Sequence, residues 1–158
     1  MNQKFLTLTW DDIDRQCSIL SNKIIDSKFN PDIIISIGRG GMVPSRILSD
    51  LLNVKNVYMH SISSYVGINS IGTVNAESLK INIYNQSVLL VDDIVDSGGT
   101  MEFMMREIVK SRPKSVKFAT LLCKDHVVIK PSYYAEECSK DSWVIYPWEK
   151  KETLRGSH

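Results

Sequence analysis

Residues 88–100 read VLLVDDIVDSGGT and set three carboxylates, Asp92, Asp93 and Asp96, between an apolar run and a Ser-Gly-Gly-Thr turn. Acids repel a phosphate, yet this turn has the composition of a phosphate cradle. Gly98 and Gly99 allow close backbone approach, and the free N–H groups of Asp96 to Thr100 at a helix start carry partial positive charge. The hydroxyls of Ser97 and Thr100 add two donors. This stretch is suited to a phosphate monoester. Neighbouring residues of a strand point to opposite sides of a sheet, so Asp92 and Asp93 are expected to diverge. They would make a poor joint clamp on one metal. They can accept hydrogen bonds from adjacent sugar hydroxyls, directly or beside a hydrated Mg²⁺. A ligand with a phosphate at one end and a diol at the other meets both halves of the stretch, and ribose 5-phosphate is one such ligand.

A strand ending in Asp is also part of the P-loop nucleotide site, but that site requires a GxxxxGK[ST] turn, and the chain contains no Gly-Lys pair. His60 and His126 lack metal-ligand spacing, and Cys17, Cys123 and Cys138 are too scattered for a disulfide framework or a cysteine-rich zinc site.

The elements that must position these residues follow from periodicity. Thr9 and Asp12 have capping-box spacing, and Ile13, Cys17, Leu20 and Ile24 recur at helical intervals, predicting a helix over about 11–28. After Pro31, Ile33–Ile35 reads as a buried strand feeding a second Gly-rich turn, Gly38-Arg39-Gly40-Gly41. A helix is predicted over 42–52, with Met42, Ile47 and Leu51 inward, and a short strand over 57–61. Residues 62–80 are polar and aperiodic, the mark of a long loop with short strands at its ends. Strands over 88–91 and 116–122 bracket a helix over 99–110. Apolar strands alternating with helices predict an α/β fold with a mainly parallel sheet covered on both faces. Ligands of such sheets bind at the carboxyl ends of the strands, where both Gly-rich turns lie.

The 158 residues suit one domain, taken as 1–154, and Arg155–His158 has the look of a tag remnant. Nineteen basic and 18 acidic residues leave a net charge of +1, which argues against nucleic acid as a partner. No apolar run reaches the ~20 residues of a membrane span, and no secretory leader is evident. A reducing cytoplasm is the expected setting.

The 88–100 stretch resembles the 5-phosphoribosyl-1-pyrophosphate (PRPP) signature of the type I phosphoribosyltransferases. Further resemblances follow in order along residues 30–149. Ser36–Gly41 is similar to that family's pyrophosphate loop, 62–80 stands where the family has its flexible hood, and Lys124 and Trp143, in DSWVIYPWE, resemble base-contacting elements of the bacterial and archaeal xanthine–guanine branch. Animal-type hypoxanthine–guanine enzymes often have Lys where Gly99 stands here, which places this chain nearer that branch.

The resemblance implies Mg²⁺-dependent purine salvage. A 6-oxopurine (hypoxanthine, guanine or xanthine) would displace pyrophosphate from PRPP and yield the nucleoside 5′-monophosphate. It implies PRPP binding by Gly38, Arg39, Gly40, Asp92, Asp93, Asp96, Ser97, Gly98, Gly99 and Thr100, with Asp92 and Asp93 reaching the metal through water. Asp96 would serve as general acid–base, with Arg39 steadying the leaving group. Lys124, Trp143 and Val144 would hold the base. It further implies a hood built from 62–80 and about 124–149, a homodimer or homotetramer, and a strained backbone at Gly38–Arg39, a cis peptide being one form of it. Alternatives are a phosphoribosyltransferase for adenine, orotate or uracil, or a PRPP-sensing regulator.

Overall fold

The computed structural model describes residues 4–65, 73–76 and 79–155. The chain opens with strand β1 (Lys4–Thr7) and helix α1 (Trp10–Asp26). The capping box forms as its spacing predicts: the Thr9 hydroxyl accepts from the Asp12 N–H at 3.2 Å, and the Asp12 carboxylate accepts from the Thr9 N–H at 2.8 Å. Next come β2 (Ile33–Ile37), α2 (Met42–Leu51), β3 (Val57–His60), β4 (Ile62–Tyr65) and β5 (Thr73–Ala76). The second half holds β6 (Ser87–Val95), α3 (Gly99–Ile108), β7 (Ser115–Lys124), β8 (Tyr133–Cys138), β9 (Ser142–Ile145) and α4 (Lys150–Arg155).

Five strands form a parallel sheet in the order β3-β2-β6-β7-β8. Its central strands are apolar without alternation because both faces are covered. Leu89 and Val91 pack with Ile13, Leu20 and Ile24 of α1 and Leu48 of α2, whereas Val88 and Leu90 pack with Met101, Met104 and Ile108 of α3. Each fully buried apolar side chain of this kind contributes about 1.5–3 kcal/mol.

Several expectations need correcting. On α2 the inward residues are Pro44, Ser45 and Leu48; Met42 and Leu51 are exposed, and only Ile47 of the expected trio packs against the core. Pro44 is tolerated because it falls in the first helical turn, whose N–H groups have no intrahelical acceptor. β6 runs four residues past the expected strand end, carrying both Asp92 and Asp93 within it. Within 62–80, β4 and β5 pair antiparallel, while 66–72 and 77–78 lie outside the described residues. The stretch 124–149, expected in the hood, divides. β8 is the edge strand of the main sheet, and β9 pairs in parallel with β1 in a separate two-stranded sheet.

The turn after β2 fits against β6 only because residue 41 lacks a side chain. A Cβ at Gly41 would lie 2.2 Å from the Val91 carbonyl oxygen and 2.9 Å from the Ile37 amide nitrogen, both backbone atoms unable to yield cheaply. Gly41→Ala is expected to destabilise the fold by about 3 kcal/mol, read as a lower midpoint in chemical denaturation.

Candidate active site

The carboxyl ends of β2 and β6 border a cavity of about 530 Å³. Its walls bring together Gly38, Arg39 and Gly40 from the first Gly-rich turn, Asp92 and Asp93 from β6, and Thr100 from α3. Trp148, Glu149 and Glu152 close the remaining side.

Asp92 and Asp93 share this cavity although they are sequence neighbours, contrary to the expected divergence. The last β2–β6 partner pair is Ser36 with Val91, so beyond it the space beside β6 opens and both side chains border it. Away from the shared void they do part. Asp92 also lines a 90 Å³ cavity at the start of α3, and Asp93 lines a 190 Å³ cavity beside Lys124. The Asp93 N–H donates to the Asp92 carboxylate at 2.9 Å. Burial, then the negative charge of Asp93, holds the Asp92 carboxyl well above the usual carboxylate range, and burial raises Asp93 too. Burial and the charges of Asp93 and Glu152 also raise Glu149.

The smaller cavity is the cradle. Asp96, Ser97, Gly98, Gly99 and Thr100 line it, and no side chain caps α3. The first N–H groups of the helix are therefore free to meet an anion. Gly98 is left-handed, with φ of +93°, and a Cβ there would touch nothing nearer than 4.0 Å. Glycine is required here by conformation, not by crowding. Among the described residues no peptide bond is cis, so the unusual backbone expected at Gly38–Arg39 does not take that form; Gly38 turns the loop with a left-handed φ of +54°.

Arg39 points over the main cavity, where its guanidinium donates to the Glu152 carboxylate at 2.9 Å. A cavity of about 190 Å³ adjoins on the other side of Asp93, lined by Asp96, Lys124, Trp143, Val144, Tyr146 and Glu149. Lys124 is 4% exposed, the last residue of β7, and its ammonium donates to the carbonyl oxygens of Ser139 and Ser142. A lysine buried to this degree with two carbonyl partners is placed, not merely solvated. Asp96 lines both the cradle and this second cavity. The structure thus brings every expected site residue to one end of the sheet.

Tyr146, Trp148, Glu149 and Glu152 also border these cavities, though none of them stands among the residues expected from the sequence. Trp148 lines the main cavity, stacked on Tyr146 at 4.8 Å and tilted against Trp10 at 5.9 Å. The available signal was the dense aromatic–proline–acid run YPWE directly after the Trp143 strand.

A model of the phosphoribosyl transferase domain matches residues 9–152. The chain belongs to the type I phosphoribosyltransferases. A xanthine-guanine phosphoribosyltransferase of Desulfotalea psychrophila is 32% identical over 143 residues, covering 90% of this chain and 84% of that one. The crystal structure of a purine phosphoribosyltransferase from Pyrococcus horikoshii superposes with a TM-score of 0.78 at 29% identity, over 91% of this chain and 93% of that one. A Neisseria gonorrhoeae protein solved with bound ppGpp superposes with a TM-score of 0.81 at 26% identity, over 100% and 99% of the two chains.

Two expectations follow for this phosphoribosyltransferase. A carboxyl raised in the folded state favours the fold below its unfolded pKa, and that contribution is lost as pH rises through the folded value. Stability of the unliganded protein therefore falls on this account as pH rises from about 4. Asp92→Asn removes the burden and is expected to raise Tm at neutral pH by about 2–4 °C while flattening the pH dependence. Calorimetric scans from acid to neutral pH check both. The Arg39–Glu152 pair is exposed on both sides, 81% and 56%, so its strength is modest. Glu152→Gln is expected to tighten pyrophosphate binding by about two- to fivefold, measured by titration calorimetry.

Proposed function

We propose that this chain transfers the 5-phosphoribosyl group of PRPP to a 6-oxopurine, releasing pyrophosphate and forming the nucleoside 5′-monophosphate, a purine-salvage reaction. One observation carries the reading: an acid pair, a helix start with uncapped N–H groups and an arginine-bearing loop border adjoining cavities, and a buried lysine and an exposed tryptophan line a third that shares Asp93 and Asp96. The 5′-phosphate sits on the N–H groups of Asp96–Thr100, helped by the hydroxyls of Ser97 and Thr100. Asp92 and Asp93 accept the ribose hydroxyls. The Gly38–Gly40 turn and Arg39 receive pyrophosphate, so that Arg39 must leave Glu152 when substrate arrives. Asp96, which lines both the cradle and the base-side cavity, exchanges a proton with the purine N7. Trp143 and Val144 wall the base.

Mg²⁺ fits this site as a partner of the ligand, not as a resident of a protein cage. Among the described residues no group of three or more histidine, cysteine or acidic side chains is arranged to hold a metal. The hard oxygens of Asp92 and Asp93 would hold it through water, and PRPP would supply further oxygen ligands. When bound, the ion neutralises charge on the departing pyrophosphate.

Free, buried cysteines support a reducing, cytoplasmic setting. The near-neutral charge does not favour a polyanionic partner such as nucleic acid, and among the described residues no helix is long and apolar enough to cross a membrane. Val57, Tyr58 and Met59 of the edge strand β3 are exposed, which supports a homodimer or homotetramer. A second reading of the same site, as a sensor of PRPP or of a guanine nucleotide, is favoured by the ppGpp-bound Neisseria relative. Added to the assay, ppGpp would compete with PRPP under either reading; turnover separates enzyme from sensor.

Two of the three ammonium protons of Lys124 are held by carbonyls, and the third remains for an acceptor on the base. The 6-oxo group is such an acceptor, whereas the 6-amino group of adenine offers only donors. Pyrophosphate release is expected with hypoxanthine, guanine or xanthine, and at about a thousandth of that rate with adenine. Lys124→Met keeps the buried volume and is expected to lose about a hundredfold in 6-oxopurine turnover while PRPP affinity stays within about threefold. Equal rates with adenine and guanine, or turnover with none of hypoxanthine, guanine, xanthine, adenine, orotate and uracil, would refute the assignment.

A further inference from the structure

β6 keeps its β7 partner as far as Val95 with Cys123, but its pairing with β2 ends at Val91. Asp93 thus lies beyond the end of one neighbouring strand. The Tyr146 hydroxyl donates to the Asp93 carbonyl oxygen at 3.1 Å. Tyr146 is 2% exposed, and its ring lies nearly parallel to Trp148, with 10° between the planes. Burial pushes its hydroxyl well up from the ordinary tyrosine range, so it stays protonated and donating at any working pH.

The position of Tyr146 in the chain makes this bond more than a filled valence. It directly follows β9, whose Trp143 and Val144 wall the base-side cavity and whose Ser142 carbonyl accepts from Lys124. On its other side, the Trp148 it stacks on lines the main cavity. One hydroxyl therefore ties the backbone of a cavity carboxylate to the strand that walls the neighbouring cavity.

We propose that Tyr146 is a positioning residue: its hydroxyl fixes the Asp93 backbone, and with it the Asp93 carboxylate, against the base wall. The inference rests on the phosphoribosyl transfer proposed above. Gly40 sharpens the demand for such a constraint, since a Cβ there would stand 2.7 Å from the Asp93 carboxylate. The carboxylate occupies a slot without slack toward the pyrophosphate turn, so a small backbone shift at Asp93 misplaces it.

Tyr146→Phe removes the hydroxyl and keeps the stacked ring. The full-length variant is expected to show a KM for PRPP raised about tenfold, a KM for guanine within about twofold of wild type, and an unchanged circular-dichroism spectrum at the assay temperature. Binding of PRPP with Mg²⁺, measured by calorimetry in Asp93→Asn and in the double variant Asp93→Asn/Tyr146→Phe, completes the cycle. If Tyr146 acts through Asp93, its loss costs nothing more once the carboxylate is gone. Additive losses would overturn the proposal, as would unchanged PRPP parameters in Tyr146→Phe, or an equal rise in both KM values accompanied by loss of fold. Should Tyr146→Phe prove unstable at the assay temperature, its PRPP binding measured at a lower temperature, where its circular-dichroism spectrum matches wild type, must still be about tenfold weaker for the proposal to stand. Wild-type protein that turns over no base with PRPP would overturn the proposed function and this inference with it; turnover by the wild type with a silent variant overturns the inference alone.

Discussion

Asp92 and Asp93 sit half-buried, side by side, where β6 outruns β2, and their mutual repulsion constrains what can surround them. Inside a core such a pair would be protonated or excluded. At the open end of a parallel sheet it can persist, because one side meets solvent and the other meets N–H donors. The sheet order places that open end at the strand flanked by β2 and β7, between the two Gly-rich turns. Parallel strands with helical crossovers bring successive loops to the same end, so the acids, the α3 start and the arginine loop meet without any single segment carrying them all.

The other side of the cavity comes from the C-terminal part of the chain. Tyr146 and Trp148 form an aromatic stack reaching Trp10 on α1, and Glu149 and Glu152 follow directly. This segment adds negative charge to a site already crowded with it, and Arg39 is the counter-ion that its Glu152 takes. Any anion drawn to this guanidinium would have to compete with Glu152 for it.

Much of this was legible in the sequence, for identifiable reasons. The parallel core announces itself because strands covered on both faces are unbroken apolar runs, as in Ile33–Ile37 and Val88–Val91. The cradle is legible because the composition of an anion-binding turn is dictated by backbone geometry, and Gly98 shows that requirement in its φ. β1, β8 and β9 escaped because they lie at sheet margins, where half-exposed side chains such as Phe5, Glu136 and Trp143 carry no periodic signal. The inner face of α2 was misread because a proline and a serine, Pro44 and Ser45, occupy core positions that apolar spacing assigns to Met42 and Leu51. Periodicity tracks large apolar side chains. It does not detect a helix that approaches a strand closely through small ones.

The pairing of β1 with β9 places Phe5 opposite Trp143, joining nearly the two ends of the chain. During synthesis at about 5–20 residues per second, the hydrogen-bonding edge of β1 waits roughly seven to twenty-eight seconds for its partner to emerge. The five-stranded sheet is complete once Cys138 has been made. The wall carrying Trp143 and Val144 comes afterwards, and so does the Tyr146 hydroxyl that reaches Asp93. A nascent chain at that stage holds the acid pair and the start of α3 but lacks Trp143, Val144 and Tyr146, so the cavity beside Lys124 takes shape only when these last residues have been added.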